Sequence, residues 1–429
     1  MFLQKKRELK IIYLLSLIFC ICLYTKYGRQ WGYDTISYIR AWDNISNLQL
    51  DLWRTPIYPI FIGITKIVFG ANYLIAVVII QHIVFIISIG YFYILSCNTI
   101  KNNRISWWLT AIYALYPCIP TWNCFIQTEA FAIYSMVFLL YFTIEVYKEI
   151  NMKNSLLFLF WLLFHIFLRP SQVFLLPVFG VGFTLLYIKS RNKTNAIRTL
   201  TCISIACISM LFYIYSFYNS FGVFTPCGIG VLNKYCMLRK DSVINEVTIQ
   251  NSSFRKYIIE KNDLYKGTQT PIDSVDLYKE AEYGIETFGL RLVSEELSHS
   301  PDRTIGYSLN SLILRIQKAS NDSFLYTYLQ KWTKLSIITD VIGVRLNAIF
   351  WVLFIFILLL LRYIWRYKCI PWFTFTLLLI AGSQLIITIV ACQDEWGRLI
   401  MPAISVYLII IGLLCSMLQF KTIECPLLE

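Results

Sequence analysis

Apolar runs recur from one end of the chain to the other, near 10–26, 73–96, 105–117, 123–147, 155–168, 172–188, 199–218, 343–362, 372–391 and 399–419. A helix needs about 20 apolar residues to cross the hydrocarbon core of a bilayer, fewer where aromatics anchor its ends. The pattern therefore predicts an all-α polytopic membrane protein with about ten transmembrane helices. Residues 105–117 and 155–168 are short for a crossing and are expected to be half-buried against neighbours. The run IYPIFIGITKIVFG at 57–70 is also short, and it reads as re-entrant or interfacial. The basic start MFLQKKRELK leads into Ile11–Tyr24 with no small-residue cleavage site behind it, which predicts an uncleaved first span.

The polar interruptions carry the organisation. Gly32–Pro59 lies between two apolar runs, and in it Ile36, Ile39, Trp42 and Ile45 recur every three residues with Ser37, Arg40, Asp43 and Asn44 between them. That spacing predicts a helix lying on the membrane surface with one face in lipid. Asp34 opens this helix and Arg54-Thr55-Pro56 closes the segment where the chain returns to the bilayer. The other long polar stretch, 219–342, shows helical apolar spacing around Val243–Leu264 and Val275–Leu297. Three regions follow: an N-terminal transmembrane module over 1–218, whose first outer loop (26–72) carries the candidate chemistry; a mostly helical extracytoplasmic loop or small domain over 219–342; and C-terminal transmembrane helices over 343–429. The middle region shows no repeat or catalytic signature, and a structural cap over the membrane part is as good a reading of it as direct catalysis.

Composition removes the soluble alternatives. Apolar side chains make up 57% of the chain and aromatics 17%, and the mean hydropathy is +0.60, outside the range of soluble domains. The formal charge of +13 does not indicate nucleic acid, because residues 220–340 balance 14 Lys/Arg against 14 Asp/Glu and the excess lies in the membrane portion. It reads as topology. Lys5, Lys6, Arg7, Lys10, Lys101, Arg104, Lys148, Lys153, Lys189, Arg191, Lys193, Arg198, Arg362, Arg366, Lys368 and Lys421 all fall on one side of an alternating ten-span arrangement, as the positive-inside rule requires. Asp34, Arg54, Glu129, Arg169, Asp394, Glu395 and Arg398 fall on the opposite side, where nothing topological asks for charge. The cysteines have no metal-ligand spacing and read as packing residues, except that Cys227 and Cys236 could pair if the polar loop faces an oxidising compartment.

Each charged residue has a plain reading beside a chemical one. Asp34 is suited to N-capping its helix, and equally to serving as a general base or helping to hold a divalent metal at an aromatic-flanked interface. Arg54, Arg169 and Arg398 are either interface anchors or phosphate ligands, since the guanidinium fork offers two parallel charge-assisted bonds. Glu129 is either a helix-start acid favoured by the macrodipole or a second site acid. Gln393–Arg398 is a short outer loop that is either an exposed turn or part of the site. His82 and His165 lie inside apolar runs, apart from any ligand partner, and read as satisfied core histidines.

The order of these features resembles the GT-C superfamily of membrane glycosyltransferases, and most closely glycosyltransferase family 39, which includes protein O-mannosyltransferases and the lipid A aminoarabinose transferase. The residues carrying the resemblance are Asp34, Tyr38, Arg54-Thr55-Pro56-Ile57-Tyr58-Pro59 with Phe69-Gly70, Thr128-Glu129, Arg169-Pro170, and Arg398 to Pro402. They cover roughly 1–235 and 340–420. Ile57 and Leu399 stand where the family has Gly and Tyr, and one acid stands where it often has two. The resemblance implies transfer of a sugar from a polyprenyl-phosphate donor to a glycan, lipid or protein acceptor on the extracytoplasmic side of a bacterial plasma membrane, with inversion and no nucleotide. It further implies Asp34 as base with Glu129 nearby, Arg54, Arg169 and Arg398 on the donor phosphate, and Tyr38, Tyr58, Asp394 and Glu395 around the acceptor. Two rivals use similar spans: an O-antigen-type polymerase or ligase acting on lipid-diphosphate glycans, and a lipid-linked glycan transporter or flippase. A transporter, however, usually shows two similar halves, and none are found here.

Overall fold

The computed structural model of the protein describes residues 2–32, 34–148, 152–189, 193–240, 249–265, 274–298, 346–368, 371–391 and 399–419. Its helices are α1 (Phe2–Tyr27), α2 (Thr35–Ser46), α3 (Ile57–Phe69), α4 (Tyr73–Ile100), α5 (Asn103–Leu115), α6 (Glu129–Lys148), α7 (Met152–Leu168), α8 (Leu175–Lys189), α9 (Lys193–Phe221), α10 (Ile229–Lys240), α11 (Ser252–Tyr265), α12 (Ser274–Phe288), α13 (Leu290–Glu296), α14 (Leu346–Tyr367), α15 (Trp372–Ala391) and α16 (Ile404–Gln419). Among the described residues there is no strand, and a single isolated bridge joins Gln30 and Phe125. The protein is an all-α polytopic membrane protein.

Each of the ten predicted stretches contains a helix within its described residues. Among the described residues six segments are long and apolar enough to cross a membrane: Leu9–Tyr27, Ile57–Ile100, Glu129–Lys148, Ile197–Phe221, Ala348–Tyr367 and Trp372–Ile389. Met152–Leu168, Pro170–Leu185 and Met401–Met417 are apolar but shorter. At 13 residues each, α3 and α5 rise about 20 Å against a core of about 30 Å. A 3₁₀ turn over Gly70–Asn72 joins α3 to α4.

α6 forms the axis of the bundle. Its residues from Glu129 to Val146 are almost all buried, as expected of a helix that is apolar all round. α4, α7 and the start of α16 surround it, so that Phe85 meets Tyr134 and Trp161 stacks on Phe138 at 4.4 Å. α1 and α14 lie outside, exposing Leu14, Ile18, Trp351, Phe354 and Trp365 as a lipid-facing surface.

α2 crosses α3 at a point that glycine makes possible. A Cβ on Gly63 would come within 2.1 Å of the Trp42 ring, so the indole can sit directly on the α3 backbone. The protein-facing side of α2 is Thr35, Tyr38 and Ala41. The apolar stripe predicted for lipid remains more open, with Ile36 exposed and Ile39, Trp42 and Ile45 half-buried.

The described part of the middle region, α10 to α13, is a helical cap with its own core around Tyr235, Phe254, Ile258, Leu277, Ile285 and Val293. Inside it the Arg239–Glu280 pair, at 2.9 Å, also takes the Tyr235 hydroxyl at 2.6 Å. Leu50, Leu52 and Trp53 from the first outer loop pack against this core, and the Gly228 N–H donates to the Leu52 carbonyl at 2.7 Å. Cap and first outer loop thus share one apolar strap.

The suggested Cys227–Cys236 disulfide is not formed, and both side chains are buried. Cys236 donates to the Leu277 carbonyl at 3.6 Å inside the cap core. Burial pushes the Cys227 thiol up to about 11, against the opposing pull of the α10 amides and Arg54. Neither cysteine is therefore expected to react with maleimide in native protein near neutral pH, while both react after denaturation. Native labelling of Cys227, or a gel shift on reduction, would contradict this.

Candidate active site

Two distant segments are laid side by side to begin the site. Beyond α1 the Gln30 N–H donates to the Cys124 carbonyl at 2.7 Å, and the Gln30 carbonyl accepts from Ile126 at 3.3 Å. The Thr35 hydroxyl then donates to the Ile126 carbonyl at 3.0 Å. Gly32 is required here, because a Cβ would fall 1.7 Å from the Gln127 side chain. This pairing places Asp34 at the first turn of α2. It makes no side-chain cap hydrogen bond; its Oδ1 lies 2.6 Å from Arg54 Nη2 instead.

Arg54 is held from both its backbone and its side chain. Asp51, buried, accepts the N–H groups of Trp53 and Arg54 on Oδ1 at 2.9 and 2.7 Å and the Asn44 amide on Oδ2 at 2.9 Å. This is an Asx turn. The guanidinium donates through Nε to Ser37 Oγ at 2.7 Å, and its Cζ lies 4.3 Å from the centre of the Tyr38 ring. Burial disfavours the charge on Arg54, but the charge and hydrogen bond of Asp34 together with Tyr38 and Cys227 outweigh it, so the guanidinium pKa is raised. Burial also raises the Tyr38 hydroxyl, which the nearby Arg54 charge partly opposes.

A second acid–guanidinium pair forms where α6 and α7 meet the same end of the bundle. Pro170 cannot continue α7, so the helix stops at Leu168 and Arg169 takes an extended conformation (φ −138, ψ 116). Its Nη1 lies 3.5 Å from Oε1 of Glu129, which is 1% exposed at the start of α6.

Tyr38 stands between the pairs. Its hydroxyl is 3.3 Å from Arg54 Nη1 and 3.3 Å from Thr128 Oγ1, next in the chain to Glu129. Its ring meets Tyr58 edge-on at 5.0 Å, and the Tyr58 hydroxyl donates to Gln81 Oε1 at 2.9 Å. Gln81 in turn donates to the carbonyls of Asn123 and Phe125. The Thr55 hydroxyl reaches the Leu168 carbonyl at 3.5 Å, joining the Arg54 and Arg169 turns.

Asp34, Tyr38, Arg54, Tyr58, Glu129 and Arg169, all singled out from the sequence, are thus brought together. Asp394, Glu395 and Arg398 lie outside the described residues. The pairing itself was not foreseen: Arg54 and Arg169, expected to await a phosphate, already face a carboxylate each. Asp51, Ser37 and Gln81 were also not anticipated as supports; an acid three residues before Arg54 was the available signal for Asp51. From the cap, Glu282 has its carboxyl raised by burial and by Glu286, and Arg54 and Arg40 oppose this, so α12 is within electrostatic reach of the site. Among the described residues no three His, Cys, Asp or Glu side chains converge to hold a metal ion. Asp34 is engaged by a guanidinium.

No family profile and no curated protein matches the sequence. The fold does have solved counterparts. The archaeal oligosaccharyltransferase AglB from Archaeoglobus fulgidus, in complex with an inhibitory peptide and a dolichol-phosphate, aligns with a TM-score of 0.50 and 14% identity over 96% of this chain and 50% of that one. The Archaeoglobus fulgidus oligosaccharyltransferase tethered to an acceptor peptide containing the NVT sequon aligns at 0.51 and 14%, covering 95% and 49%. Its complex with Zn and sulfate aligns at 0.51 and 13%, covering 98% and 52%. The chain thus spans about half the length of the structures it matches. At this identity the likeness is one of fold alone: the bundle is similar to the membrane part of these oligosaccharyltransferase structures.

Asp51→Ala is expected to destabilise the first outer loop by about 1.5–3 kcal/mol, the scale of hydrogen bonds to a charged acceptor. Asp51→Asn, which keeps an acceptor for the turn, should cost less. Unfolding in mixed micelles measures both, and equal stability of the two variants would contradict the Asx-turn role.

Proposed function

We propose that the protein transfers a sugar from a polyprenyl-phosphate donor to an extracytoplasmic acceptor, with the Asp34–Arg54 and Glu129–Arg169 pairs as its reaction centre in the plasma membrane. The observation that carries this reading is the convergence of two carboxylates and two guanidiniums, one pair from the first polar loop and the other from the ends of α6 and α7, at one end of a bundle similar in fold to the oligosaccharyltransferases. Charges of both signs at the edge of a bilayer are costly, and a phosphate ester reacting with a protic acceptor needs both. That the similar solved structures hold a dolichol-phosphate and an acceptor peptide supports the choice of a lipid-linked donor.

In this reading Asp34 receives the proton of the acceptor's O–H or N–H as that atom bonds to the anomeric carbon. The C–O bond to phosphate breaks and its electron pair leaves with the lipid phosphate. Arg54 orients Asp34 through the 2.6 Å contact. Arg169 is the better phosphate ligand, because Glu129 touches it more loosely, at 3.5 Å. An exchange of Glu129 for the phosphate at Arg169 would keep the guanidinium neutralised throughout. Attack opposite the leaving phosphate gives inversion, as the family resemblance implies, and no step is routed through a metal.

Transfer from a panel of polyprenyl-phosphate sugars by protein purified in detergent is the test. Asp34→Asn should lower turnover by at least ~100-fold, in the range a general base contributes, while Arg169→Ala should raise the KM for donor. Full activity in both variants would remove this site. Turnover of diphosphate-linked glycans alone would favour the polymerase or ligase alternative.

A further inference from the structure

His165 reads from sequence as a passive core histidine, and it is completely buried. Its surroundings give it a definite role. Ser135 Oγ on α6 lies 2.6 Å from Nδ1, and Gln172 Oε1, in the turn after Pro170, lies 3.3 Å from Nε2. Gln172 Nε2 donates to Gln384 Oε1 on α15 at 2.8 Å, and Gln384 Nε2 donates to the Leu399 carbonyl at 2.9 Å. Ser135, Gln172 and Gln384 are buried as well.

The direction of every bond follows from the last one. A backbone carbonyl accepts only, so Gln384 turns its amide nitrogen to Leu399 and its oxygen to Gln172. Gln172 therefore turns its nitrogen to Gln384 and its oxygen to His165, and the histidine carries its proton on Nε2. Nδ1 is left bare and accepts the Ser135 hydroxyl. The chain is fully satisfied and has one polarity, the condition in which a buried polar network specifies a geometry.

That geometry encloses Arg169. The Arg169 N–H donates to the His165 carbonyl at 3.3 Å and the Gln172 N–H donates to the Arg169 carbonyl at 2.9 Å. The His165–Gln172 side-chain bond therefore staples the last turn of α7 across the Arg169-Pro170 break. The Ser135 bond fixes the same imidazole to α6, which carries Glu129. We propose that neutral His165 is a positioning residue that sets the Glu129–Arg169 pair, holding the two helix ends in register. Its consequence for catalysis rests on the functional reading above; its structural part does not.

Two substitutions separate this role from simple packing. The side-chain nitrogen of Gln superimposes on Nε2, so His165→Gln keeps the staple to Gln172 and gives up the Ser135 bond, for which Ser135 has the Ala132 carbonyl at 3.3 Å in reserve. Asn places its amide at Nδ1, so His165→Asn keeps Ser135 and gives up the staple. Each loses one hydrogen bond, and a purely structural histidine would make the two variants alike. The first measurement is the coupling between Glu129→Gln and Arg169→Gln in a double-mutant cycle of unfolding in mixed micelles. It is expected to be present in wild type and in His165→Gln, and absent in His165→Asn. The second is transfer, expected to fall about 10–100-fold in His165→Asn, the scale of an ångström-sized misplacement, with His165→Gln close to wild type. No coupling in wild type, or equal coupling in the two variants, overturns the proposal. If wild type transfers no sugar, the functional reading fails and the cycle alone decides.

Discussion

A charged side chain at the edge of an apolar helix bundle must be matched, because an isolated ion there has neither water nor a partner to stabilise it. Much of the described site can be understood as the means of that matching. Arg54 meets Asp34 at 2.6 Å, and Arg169 meets Glu129 at 3.5 Å. Asp34 and Arg54 lie on either side of α2 within one polar loop, and Glu129 and Arg169 lie where α6 begins and α7 ends. The Asx turn at Asp51, the proline break after Arg169 and the glycine at position 32 are devices for aiming the four groups.

The two pairs differ in tightness, and the difference has chemical meaning. Asp34 shares Arg54 with a network that includes Ser37 and the Tyr38 ring, which fixes the orientation of the pair. Glu129 and Arg169 touch at the outer limit of a hydrogen bond. A substrate phosphate can compete for that guanidinium more easily than for Arg54. In the function proposed here, the tight pair would orient the base and the loose pair would yield to an incoming anion, a workable division of labour for a displacement at an anomeric carbon.

The cap enters this arrangement through the strap at 50–53. Leu50, Leu52 and Trp53 pack against the cap core while the next residue is Arg54, and the N–H of Gly228 grips the Leu52 carbonyl. Cap and membrane part are therefore mechanically continuous at the site. On the other flank, the buried polar chain from Ser135 to Leu399 ties α6, α7 and α15 together around the Arg169 turn. The two acid–guanidinium pairs are held between an apolar anchor on one side and a hydrogen-bonded one on the other.

Hydrophobic periodicity and charge placement determined the fold class, the helical stretches and the polar first outer loop, because burial in lipid acts on each segment by itself. They also singled out Asp34, Arg54, Glu129 and Arg169, since a charge next to a membrane-length apolar run is conspicuous in the sequence. Which acid meets which arginine was decided by the tertiary structure alone. So were the separation of Cys227 from Cys236 and the role of His165. These depend on helix register and on single hydrogen bonds between segments as distant as Gln172 and Gln384, and no local pattern of apolar and polar residues encodes a contact of that kind.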